Sequence, residues 1–171
     1  MLNTVAQSFR PLLAVMLIFF GIAACAPTFD ETADKQLTSA QQKFDDGAAK
    51  LILAARRLEA LESRQPQPTP AALQAARQAV SYQANAAWYA EVDSALNSVR
   101  LRVIASPATP ASIDQRFQDL QENLNRLSSL HEAQDRLSSV AITAARSSIN
   151  SQFQALITYQ LVLKSGQNPA K

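Results

Sequence analysis

With 171 residues, 16 basic against 14 acidic side chains and a net charge of +2, the chain is too near neutral to serve nucleic acid or a strongly acidic partner. Its single cysteine, Cys25, excludes an intramolecular disulfide, and its three dispersed glycines exclude a glycine-rich phosphate cradle. Alanine, glutamine, serine, leucine and arginine dominate, while β-branched and aromatic residues are sparse, so the composition favours helix almost throughout.

The chain opens with Arg10 ahead of an uncharged apolar run over residues 12–24. That is the layout of a secretory signal, and the run is shorter than the roughly 20 residues a bilayer span needs. It closes on Ile22-Ala23-Ala24-Cys25. These four residues resemble the lipobox of bacterial lipoproteins: a branched apolar residue, two small ones, then the cysteine that becomes the lipidated first residue. The resemblance implies that residues 1–24 leave as a signal peptide and that Cys25 takes two or three acyl chains, palmitate among them. Residues 25–29 are then a short tether. Because Ala26 rather than aspartate follows the cysteine, the same resemblance implies an outer-membrane anchor facing the periplasm. Ordinary cleavage is the competing reading, since Ala24-Cys25-Ala26 is a small-x-small site, but the cut would fall just before Pro27, a poor scissile position. An uncleaved anchor and a plain buried thiol are the remaining alternatives.

The 147 residues from Cys25 onward amount to one domain, and 15 of the 16 basic residues and all the acidic ones lie there, a balance of +1. Two proline clusters divide it. Pro66-Gln67-Pro68 precedes Thr69-Pro70, and Pro107-Ala108 precedes Thr109-Pro110. In each, threonine is placed to cap the next helix and proline to occupy its first turn. Thr28 and Glu31 are spaced as a capping box, while Ser165-Gly166 with Pro169 marks a stop. The punctuation predicts helices over residues 30–63, 70–105 and 110–165, with a bundle domain at 30–165 and a tail at 166–171.

Each predicted helix carries a heptad-spaced apolar stripe of the coiled-coil kind. In the first, Leu37, Phe44, Leu51 and Leu58 recur every seven residues, with Ala40, Ala48, Ala55 and Leu61 between. The second repeats Tyr82, Tyr89, Leu96 and Val103, interleaved with Ala86, Val92 and Val99. The third runs Ile113, Phe117, Leu120, Leu124, Leu127, Leu130 and Leu137. Such stripes demand partner helices, and short connections make neighbours antiparallel, so an all-α, up-down-up three-helix bundle is expected. The lengths disagree. At about 1.5 Å per residue the first two helices reach about 50 Å and an unbroken third exceeds about 80 Å. The extra length carries Ile149, Phe153, Leu156, Ile157, Leu161 and Leu163, too apolar to stand uncovered. The helix therefore breaks and folds back as a fourth, is covered by another chain, or projects with a frayed end. Ser129 with Glu132, or the cluster at residues 147–151, are the expected break points.

Chemistry is thinly supplied. His131 is the sole histidine, and in His131-Glu132-Ala133-Gln134-Asp135 an aspartate stands where a metalloprotease zinc helix has its second histidine. An exposed or seam-edge pair is the simpler expectation. No metal, cofactor or catalytic set is assembled, and Asp45-Asp46 and Glu59 with Glu62 read as solvated surface. Tyr82, Trp88 and Tyr89 form an aromatic group, the tyrosines on the seam and Trp88 one step off it as a boundary or contact residue. Arg56-Arg57 and Arg100 with Arg102 offer local positive charge to headgroups or to solvent.

Phe29-Asp30 with Asp34-Lys35-Gln36-Leu37 behind the anchor, the pair Trp88-Tyr89, and Leu127, Leu130 and His131 in a long last helix are together similar to small helical lipoproteins of Gram-negative bacteria. That resemblance implies an address and a fold, not an activity. The expectation is a non-catalytic envelope module that meets the membrane through its lipid and a protein partner or second copy through Phe153, Leu156, Ile157 and Trp88. An inhibitor or immunity-type lipoprotein, blocking a periplasmic toxin or hydrolase, and a binder of apolar ligands are the rival readings.

Overall fold

The computed structural model describes residues 28–166, and every regular element among them is helical. The order is α1 (Glu31–Glu62), α2 (Pro70–Val80), α3 (Tyr82–Ile104), α4 (Ala111–Gln134) and α5 (Ser139–Lys164). Four are long. The signal segment and Cys25 lie outside the described residues.

The predicted third helix is two helices, which turns the three-helix bundle into a four-helix one. The break falls at residues 135–138, between the two expected places. Asp135 ends α4 with φ 55°, a left-handed conformation that aspartate tolerates better than most residues. Ser138 then caps α5, its side chain accepting from the Ala141 N–H. Folding back lets α5 pack along α1 and α4, while α1 and α4 each pack on α3, closing an up-down-up-down ring. Most of the apolar surplus is covered from within: Ile149, Phe153 and Leu156 are core residues, the Phe153 ring lying 6.0 Å from that of Phe44 on α1, while Leu161 stays exposed.

The predicted second helix is also interrupted. Ser81 is extended (φ −68°, ψ 150°) and separates the short α2 from α3, and α2 buries Ala76 and Val80. At the starts, Thr69 caps α2 as expected, with Pro70 in the first turn. Two caps differ. Asp30, not Thr28, caps α1 by accepting from the Thr32 and Ala33 N–H groups, since a carboxylate serves the positive helix end better than a hydroxyl two residues back. Thr109 turns away from α4 and donates 2.7 Å to the Val103 carbonyl, leaving Pro110 as a cap without a side-chain bond. The last stop is as read, with Ser165 as C-cap and Gly166 at φ 71°.

The heptad stripes are the core. Leu37, Phe44, Leu51, Leu58, Tyr89, Val92, Leu96, Val99 and Val103 are all buried. On α4 the stripe runs Ile113, Phe117, Leu120, Leu124, Leu127 and then His131, whereas Leu130 is 44% exposed. A step of four after Leu127 keeps the three-four alternation, so geometry selects the imidazole over the leucine.

Candidate functional site

The only described histidine sits where the helix interruption at Ser81 needs it. An extended residue between two helices orphans backbone groups on both sides, and buried ones must find partners. Four side chains do this here. Ser81 Oγ donates to the Gln78 carbonyl and accepts from the Ala84 N–H, and Asn85 Nδ2 donates 2.8 Å to the Ser81 carbonyl. From α4, His131 Nε2 donates 2.8 Å to the Val80 carbonyl, and Asp135 Oδ1 accepts from the Tyr82 N–H at 3.1 Å.

The His131 and Asp135 spacing therefore clips the end of α4 to the α2–α3 junction. His131 is fully buried, which corrects the expectation of an exposed or seam-edge pair. A carbonyl only accepts, so Nε2 carries a hydrogen, and the matching tautomer leaves Nδ1 to accept from the Tyr89 hydroxyl at 3.1 Å. Burial pushes the Tyr89 phenol well above its usual range, with the Tyr82 phenol adding to it, so the hydroxyl keeps its proton. Both ring nitrogens are occupied by protein partners. Among the described residues no three His, Cys, Asp or Glu side chains gather as a metal site.

Around this clip runs an aromatic column through all four long helices. Tyr82 and Tyr89 meet the His131 ring in T-shaped contacts, with centroids at 5.8 and 5.9 Å. Trp88 lies 4.4 Å from Tyr89 and 5.8 Å from Phe44, which in turn meets Phe153. Trp88 is half-buried, and its Nε1–H donates 3.1 Å to the Lys43 carbonyl on α1, across the backbone of Gly47. The four residues expected to meet a partner are thus spent within the fold: Phe153 and Leu156 are buried, and Ile157 and Trp88 pack on the core.

The acidic residues read as solvated surface include cross-helix links. Asp45 on α1 takes Arg146 of α5 in a two-pronged pair at 2.7 and 2.6 Å, with Asn150 Nδ2 on the same carboxylate at 2.7 Å. Glu59 accepts from both the N–H and hydroxyl of Ser139 at 2.8 Å, serving the start of α5 from the end of α1. Glu62 pairs with Arg77 and Arg136. Arg100 and Arg102, expected to face headgroups or solvent, pair with Asp114 and Asp30 at 2.6 Å.

The Arg146 hydrogen bond, helped by Asn150, holds the Asp45 carboxyl below its ordinary value, and the Ser139 N–H does the same for Glu59. A carboxyl depressed in the folded state contributes stability above its unfolded pKa and loses it as pH falls through the folded one. Asp45→Asn should therefore be less stable than wild type at neutral pH, and the two melting temperatures should converge as pH falls through and below the ordinary carboxylate range. Thermal unfolding followed by circular dichroism across that range checks this.

A groove opens on the bundle surface. Between α4 and α5, Leu130, Leu137 and Ala141 are shared by a cavity of about 430 Å³ reaching Glu59 and Glu62 and one of about 220 Å³ reaching Ala145 and Ile149. The first is within the size range of small-molecule sites. Among the described residues no helix is long and apolar enough to cross a membrane. No known protein family, characterised protein or solved structure matches the chain.

Proposed function

We propose that the protein is a non-catalytic lipoprotein of the bacterial cell envelope, held by an acylated Cys25 in the periplasmic leaflet of the outer membrane and offering a helical surface to a protein partner. The observation that carries this reading is the apolar run over residues 12–24 ending in Ile22-Ala23-Ala24-Cys25. It is supported by where the domain starts. Asp30 already caps α1 and pairs with Arg102, so only a few residues separate the cysteine from the start of α1. A non-catalytic role is supported by the closed polar arrangement around His131, whose two ring nitrogens are engaged by Tyr89 and Val80.

Radiolabelled palmitate should enter the wild-type chain and not Cys25→Ser, and the serine variant should leave the membrane fraction. Absence of label from the wild type, or unchanged fractionation of the variant, overturns the reading. A second reading, binding of an apolar ligand, is favoured by the groove between α4 and α5. Lipid retained through purification and identified by mass spectrometry decides for it.

A further inference from the structure

The two ends of the bundle differ in chemistry. At the end where the chain enters, α3 and α4 are joined by Ala105-Ser106-Pro107-Ala108-Thr109-Pro110, a turn without a charge. In the last turns of α3 and α5 beside this end, Leu101 and Leu161 are 55% and 51% exposed. The charges there are largely spent on one another, as Arg102 with Asp30, Arg100 with Asp114 and Lys35 with Glu31. Lys164 stands over the Phe29 ring at 5.5 Å. At the opposite end the α4–α5 turn is charged: Asp135 and Arg136 share a surface cleft with Glu62 and Arg77, Glu62 pairing with both arginines.

Leu101 and Leu161 are two of five large exposed apolar side chains, and Leu130 and Val140 are exposed toward the other end, so what singles this end out is the nearby tether and the uncharged turn beside the two leucines. The four residues Ala26 to Phe29 that follow the cysteine span at most about 14 Å. A lipid on the cysteine would hold this end within that distance of the headgroups, while the 32 residues of α1 carry the other end about 48 Å away.

We infer that the tether-bearing end of the bundle seats on the bilayer surface, with Leu101 and Leu161 entering the headgroup layer, the uncharged turn against it and Lys164 at phosphate level. This rests on the acylation of Cys25 proposed above. Leucine gains from leaving water at such an interface, and a lysine reaches the phosphates with its ammonium while its stem stays apolar. The charged end is then directed into the periplasm, where a soluble partner meets it.

Because the chain has no other cysteine, an introduced thiol is a unique labelling site once Cys25 is acylated. Full-length protein carrying Pro107→Cys, Thr158→Cys or Gln67→Cys, labelled with a fluorophore, is reconstituted into phosphatidylethanolamine and phosphatidylglycerol vesicles containing a headgroup-nitroxide lipid. Labels at 107 and 158 should be quenched at least threefold more than the label at 67. In a Leu101→Asp, Leu161→Asp background the quenching at 107 should fall by half or more, with palmitate incorporation unchanged. Equal quenching at both ends, or no effect of the two aspartates, in protein that carries palmitate overturns the seating and leaves acylation standing. Protein without palmitate overturns both.

Discussion

Replacing His131 by alanine should lower the free energy of unfolding by about 3–4 kcal/mol, a large share of what a domain of this size holds in reserve. Two losses combine. Truncating a fully buried ring opens a cavity among Tyr82, Tyr89 and the α4 stripe, and it strands two polar groups, the Val80 carbonyl and the Tyr89 hydroxyl. Tyr89→Phe removes one hydroxyl and should cost only about 1 kcal/mol, because His131 keeps its bond to Val80. The double variant should lose less than the sum of the two, since with both groups gone neither the Tyr89 hydroxyl nor His131 Nδ1 is left stranded. Urea unfolding of the four proteins measures the cycle. Full additivity would mean that the 3.1 Å contact contributes nothing. A loss below about 1 kcal/mol for His131→Ala would mean that the Ser81 interruption does not need its clip.

The same clip shows what could be read in the sequence and what could not. The stripes were legible because their spacing depends only on helix geometry, and they locate nearly all of the core. So was the need to cover residues 149–163, since no monomer tolerates that much exposed apolar helix. The place of the fold-back was hidden. Gln134-Asp135-Arg136-Leu137-Ser138 contains neither glycine nor proline, and its turn is made by an aspartate with positive φ whose carboxylate is held by Tyr82, 53 residues away in sequence. Ser81 was invisible for the same reason, as its break is tolerated only because α4 supplies two of the missing partners. An apolar count passes over a histidine and puts Leu130 on the seam, although a step of four from Leu127 lands on His131. The features on which the proposed function rests are at the front of the chain, outside the described residues.

Gly47 is the other position where sequence habit and packing pull in opposite directions. A glycine inside a helix gives up about 1 kcal/mol relative to alanine, so its presence within α1 asks for a packing reason. Trp88 supplies it. A β-carbon built on Gly47 would lie 2.1 Å from Trp88 Nε1 and 2.3 Å from Cε2. The indole cannot step aside cheaply, being fixed by Phe44, by Tyr89 and by its bond to the Lys43 carbonyl. Gly47→Ala should therefore destabilise by about 2 kcal/mol, the clash outweighing the propensity gain, and Gly47→Val by about 3 kcal/mol or more. The decisive experiment reverses the sign. In a Trp88→Ala background the obstruction is gone, and there Gly47→Ala should stabilise the protein by up to about 1 kcal/mol through helix propensity alone. Chemical unfolding of wild type, both single variants and the double reads this directly. If Gly47→Ala destabilises equally in both backgrounds, the indole is not what keeps this position free of a side chain.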